Sequence, residues 1–105
     1  MKVILTENAE ENLWQIYRYH SDYSIDYADK FQADLSEFIF STLSSQPKMG
    51  TLHNATQDVY RMVYDGRYNI YYVIRDTLYI VYVLDGRMQL NVELADPNAD
   101  LPTIS

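Results

Sequence analysis

Apolar positions recur every three or four residues in the first half of this chain and become nearly continuous in the second. Lys2-Val-Ile-Leu5 is short and β-branched, which predicts an N-terminal strand. Ala9, Leu13, Ile16, Tyr17 and His20 then follow at helical spacing, with Thr6 placed as N-cap and Glu7 in the first turn. His20-Ser-Asp-Tyr-Ser24 interrupts that stripe. A second one runs through Ala28, Phe31, Leu35, Phe38, Ile39 and Thr42, with Ser24 as its cap. Two such helices with a short connector predict an antiparallel hairpin whose apolar stripe needs a surface to cover.

Ser44 to Asp58 read as a polar connector carrying Pro47 and Gly50. From Val59 to Leu84 three runs of β-branched and aromatic residues are separated by Asp65-Gly66-Arg67 and Arg75-Asp76-Thr77. That is the signature of an antiparallel meander, and Asp-Gly predicts a tight turn with positive φ. Beyond it Met88, Leu90, Val92 and Leu94 alternate with polar residues, as an extended segment or a short helix would. Ala95 to Ser105 read as a loosely held acidic tail. The expectation is an α+β fold: one domain over residues 1–94 and a tail over 95–105.

Strict alternation assigns faces to the strands. Tyr68, Ile70, Tyr72 and Ile74 share one face of the middle strand; Asn69, Tyr71, Val73 and Arg75 share the other. In the third strand Leu78, Ile80, Tyr82 and Leu84 oppose Tyr79, Val81, Val83 and Asp85. Neither strand sets apolar against fully polar. The helical hairpin is expected on the Ile70 face, and the rest of the fold or a protein partner on the other.

Charge narrows the function. The net charge is -7, and residues 1–45 hold eight acidic and three basic groups. An acidic chain disfavours non-specific nucleic-acid binding, which depends on neutralising phosphates. Four of the five arginines, Arg61, Arg67, Arg75 and Arg87, nevertheless fall in the sheet segment. There is no cysteine, so disulfides and thiolate metal sites are excluded. The N-terminus offers no apolar run long enough for a secretory signal, and no run approaches a membrane span, so a cytoplasmic protein is expected.

Arg61 and Arg87 are the candidates for binding an anion or an acidic partner, against solvated strand-end arginines. His53 is the residue an acid–base mechanism would recruit, since the unperturbed imidazole pKa lies near neutrality, although loop histidines are ordinarily just exposed. Glu10-Glu11 and Asp26/Asp29 lie on polar helix faces and read as solvated, so no metal is expected. No cofactor motif is present. Without a broad basic groove, Tyr71 and Tyr79 beside Val73, Val81 and Val83 suit a protein interface better than a base-stacking platform.

The order of elements resembles the RelE/ParE superfamily of bacterial toxins over about residues 3 to 90. Ala9, Leu13, Ile16 and Tyr17 match its first helix; Ala28, Phe31 and Leu35 match its second. Pro47-Lys-Met-Gly50 resembles its connector and Tyr60-Arg61 a strand start. Tyr68-Asn-Ile-Tyr-Tyr72-Val resembles its core strand, and Asp85-Gly86-Arg87 its closing His-Gly-Arg. The resemblance implies the toxin of a plasmid-stabilising toxin–antitoxin module, complexed with a cognate antitoxin of ribbon-helix-helix type. The long hairpin and the lysine-free stretch Thr51 to Asp58 look like the ParE branch, which inhibits DNA gyrase by binding. The alternatives are a RelE-like ribosome-dependent mRNA endoribonuclease using Arg61, Arg87 and His53, or a degenerate interaction module. Asn69, Asp85 and Met88 stand where the superfamily often has Arg, His and Arg, which removes positive charge from the ribonuclease reading. The residues expected to meet a partner are Arg61, Asn69, Tyr71, Val73, Tyr79, Val81, Val83 and Arg87.

Overall fold

The computed structural model describes residues 1–54 and 58–86, with Asn54 described by its backbone alone. Arg87, Met88, the alternating stretch to Leu94 and the Ala95–Ser105 tail lie outside these residues, as do 55–57 of the connector. In chain order the elements are β1 (Val3–Leu5), α1 (Glu7–Ser21), α2 (Ile25–Glu37) with a π-helical continuation (Phe38–Leu43), β2 (Thr51–Asn54), β3 (Val59–Tyr64), β4 (Tyr68–Ile74) and β5 (Leu78–Asp85). The five strands form one mixed sheet in the order β1-β5-β4-β3-β2, and the helices make the fold α+β.

Both helix starts follow the expected capping. Thr6 Oγ1 accepts from the Ala9 amide at 3.2 Å, and Ser24 Oγ accepts from the Tyr27 amide at 3.1 Å. Each satisfies an amide that has no partner inside the helix. Thr6 does more than cap. Its amide donates to the Ile80 carbonyl at 3.0 Å and its hydroxyl donates to the Val81 carbonyl at 3.0 Å. One buried threonine thus joins the end of β1, the start of α1 and the middle of β5.

The hairpin lies on the face that alternation in β4 assigns to it. Leu13, Ile16, Phe31, Leu35 and Ile39 pack with Tyr68, Ile70, Tyr72, Leu78 and Ile80 into one core. The second stripe differs from expectation at its end: Leu43 is fully buried and Thr42 is exposed. A four-residue step drifts around an α-helix. The π-helical turns over Phe38–Leu43 wind more widely, so Leu35, Ile39 and Leu43 stay in line on the core.

At the predicted tight turn Asp65 and Gly66 both have positive φ, 57° and 63°, and the Arg67 amide donates to the Tyr64 carbonyl at 3.1 Å. These are the marks of a type I′ turn. Gly50 is required for a different reason. A Cβ there would sit 2.6 Å from the Tyr72 hydroxyl and 2.7 Å from the Arg61 carbonyl. The Gly50 amide donates to that hydroxyl at 3.1 Å, which ties the connector to the core.

Two expectations about the sheet need correction. The connector contains a strand, β2, which pairs antiparallel with β3 at the sheet edge. Its sequence Thr-Leu-His-Asn carries no apolar alternation because Thr51, Leu52 and His53 are exposed. The second correction is in β5. Tyr71 pairs with Tyr82 but Tyr72 pairs with Ile80, so Val81 is an extra residue in the ladder. This β-bulge exchanges the faces beyond it. Val83 therefore joins the helix-side core with Leu78 and Ile80, while Tyr82 and Leu84 join Tyr79 and Val81 on the opposite face.

Candidate functional site

The strand register decides which sequence-predicted residues meet. Arg61 pairs with Thr51 on one side and Tyr71 on the other, and Tyr71 pairs with Tyr82. Directly opposed residues present their side chains on one face. Asn69 lies two residues before Tyr71 and shares that face. The His53 ring stands edge-on to Tyr71, centroids 5.2 Å apart. Arg61, His53, Asn69 and Tyr71 therefore form one patch on the face away from the hairpin, with Arg61 and Asn69 half-buried and His53 exposed.

The remainder of that face is apolar. Val59, Val73, Tyr79 and Val81 form a cluster with Tyr71. Tyr71, Val73, Tyr79 and Val81, expected to lie open for a partner, are buried within the chain, at 6%, 0%, 5% and 1% exposure. Val83 is on the other face altogether, because of the bulge. Of the expected partner residues on this face, the accessible part is Arg61 and Asn69, with His53 beside them and exposed Val63 opposite Asn69. Arg87 lies outside the described residues.

A second cluster, not anticipated from the sequence, sits on the helix side. The Arg67 guanidinium lies over the rings of Tyr19 and Tyr68, 5.4 and 5.2 Å from their centroids, and its Nε donates to Asp85 Oδ2 at 3.1 Å. Beneath it His20 is 4% exposed, and its Nε2 and the Tyr68 hydroxyl share a hydrogen bond of 3.0 Å. Burial, and secondarily the positive charge of Arg67, hold the His20 pKa below its ordinary value. Burial likewise raises the Tyr68 phenol. The bulge makes this cluster: by reversing the faces of β5 it turns Asp85 toward Arg67 and Val83 toward α1.

Beside Arg67 a groove of about 420 Å³ opens between α1 and the end of β5. Its walls are Ile16, Tyr19, Tyr68, Val83 and Leu84. Asn12 and Gln15 border it along α1, and the Asn12 Oδ1 accepts from the Val83 amide at 3.1 Å. Nothing local in the sequence marks this groove, since α1 and the strand ends that form it are far apart along the chain. The one available signal was the Arg67/Asp85 pair flanking a tyrosine-rich meander.

Among the described residues no helix is long and apolar enough to cross a membrane, and no cluster of three or more His, Asp or Glu is disposed to hold a metal.

A strand, a capped helical hairpin and an antiparallel meander with β1 returned beside β5 define a small α+β domain. The family model for the ParE toxin of type II toxin–antitoxin systems, parDE, matches residues 3–90. The chain belongs to that family and is the toxin member of a type II toxin–antitoxin system, a class defined by its pairing with an antitoxin. No curated relative matches it.

Proposed function

We propose that this toxin acts by binding DNA gyrase in the cytoplasm and is neutralised by a cognate ribbon-helix-helix antitoxin encoded beside it. The observation that carries the reading is the composition of the Arg61 patch. Among the described residues, its strand positions bring one guanidinium together with Tyr71, Asn69 and His53. Cleaving RNA without a metal requires stabilising a developing phosphorane charge and moving protons at two oxygens, which calls for several convergent cations. Recognising a protein surface requires only a complementary arrangement of a donor-rich side chain and aromatic neighbours. The ParE family membership supports the same choice.

One observation favours the endoribonuclease as a second reading. His53 stands in ring contact with Tyr71, next to Arg61, so an imidazole, the side chain most often used for general acid–base catalysis, is beside a cation. The two readings separate in one experiment. Purified toxin should block supercoiling by gyrase, lose that activity as Arg61→Ala, and leave ribosome-bound mRNA intact. Cleavage of mRNA in the ribosomal A site, abolished by His53→Ala or Arg61→Ala, would replace the gyrase reading with the second.

A further inference from the structure

We infer that the groove between α1 and the end of β5 seats an apolar side chain from a cationic segment of a partner protein. The inference is independent of which enzyme the toxin attacks, because the groove lies on the helix side of the sheet and the Arg61 patch on the other.

Three properties of the groove set the chemistry of its occupant. Its size, about 420 Å³, accommodates an aromatic or branched aliphatic side chain with adjoining backbone, and its walls are chiefly apolar. An occupant therefore anchors through apolar burial, as interface hot spots do. The second property is the charge at the mouth. Among the described residues the one cation that lines it, Arg67, is already matched by Asp85 at 3.1 Å and lies against two tyrosine rings. It is poorly placed to recruit an anionic partner. The third is the field of the hairpin. Residues 7–37 carry eight carboxylates against Arg18 and Lys30, a net charge of -6 out of -7 for the chain. Glu11 brings that field to the lip, because Gln15 on the groove wall donates to its Oε1 at 3.3 Å.

Long-range attraction therefore favours Lys or Arg flanking the anchor and repels nucleic acid or an acidic peptide. The exposed rings of Trp14 and Tyr23, 54% and 79% accessible, give partner cations aromatic faces on the same hairpin. The occupant is accordingly a cationic, amphipathic polypeptide segment.

The probes are two short fluorescein-labelled amphipathic peptides of equal length, one of Lys, Leu and Phe and one of Glu, Leu and Phe, read by fluorescence anisotropy. The toxin should bind the cationic peptide and weaken several-fold as salt rises through the physiological range. Gln15→Trp, an exposed position whose larger side chain fills the groove mouth, should weaken binding by about tenfold or more. Glu11→Lys should weaken it by a smaller factor and reduce the salt dependence. Circular dichroism of both variants confirms that they are folded. Three outcomes overturn the inference: no binding of the cationic peptide, equal binding of the acidic one, or unchanged binding by Gln15→Trp, which would mean adsorption to an acidic surface. Gyrase inhibition measured on Gln15→Trp reads the other face of the sheet and stands or falls separately.

Discussion

The two faces of the sheet differ in how they treat polar groups. On the helix side three enclosed polar pairs satisfy one another: His20 with Tyr68, the Tyr72 hydroxyl with the Gly50 amide, Thr6 with Val81. On the other face polar and apolar groups are segregated. Val59, Val73, Tyr79 and Val81 occupy one end, and Arg61, Asn69 and His53 the other. The first arrangement costs stability whenever a member is removed, because its partner is left buried and unpaired. The second leaves its polar end reachable from water, where a substitution costs little folding energy and changes what the surface recognises. The helix side holds the molecule together; the accessible end of the other side is placed to be read.

The sharpest way to break this comparison is in the helix-side core. Leu35→Ala, at a fully buried position, should destabilise by about 2–5 kcal/mol in denaturant melts. A loss under about 1 kcal/mol would mean that the hairpin does not depend on that contact. Thr6→Val keeps the shape but removes both the cap and the hydroxyl to Val81. It should cost about 1–2 kcal/mol, and an unchanged melting midpoint would show that the cap is replaceable.

The next effect is seen in pH. His20 is held neutral in the folded protein, whereas the unfolded chain protonates at the ordinary value of 6.5. The unfolded state thus gains protons first, so stability is fully present above about pH 6.5 and declines as pH falls below it. His20→Gln should be less stable at neutral pH and lose the decline between neutrality and mild acid. An identical pH slope in the variant would assign the effect to carboxylates elsewhere. Smallest in stability is Arg61→Ala, expected within about 0.5 kcal/mol of wild type while losing gyrase inhibition. A large destabilisation by Arg61→Ala would place that residue with the structural face.

Much of this was legible in the order of residues. Thr6 and Ser24 announce the helix starts, Asp65-Gly66 the turn, and the Ala9–His20 stripe the buried face of α1. What the sequence hid has physical reasons. Residues 78–84 are apolar or aromatic throughout, so a one-residue bulge at Val81 leaves no trace in the pattern, and the faces of Tyr82, Val83 and Leu84 were assigned in reverse. β2 is an exposed edge whose pairing is made by backbone, not by side chains that a pattern would show. The π-helical turns replace Thr42 by Leu43 at the core because winding, not composition, sets that angle. The Arg61 patch was partly readable, since Arg61, Asn69 and His53 were singled out and do meet. The apolar residues chosen with them are buried, because alternation tells which side chains share a face and not whether that face is open.

The hydroxyl of Thr6 reaches a carbonyl 75 residues further along the chain. β1 pairs with β5 and with no other described strand. A nascent chain emerging from the ribosome can build α1, α2 and the β3–β4 hairpin early, since their contacts are local, but β1 waits for the last strand. Loop closure over that distance delays completion of the sheet until nearly the whole domain has been synthesised. The same wait applies to the groove beside α1, whose far wall is Val83 and Leu84. The sheet and the groove are therefore completed together, and only once β5 is free to pair with β1.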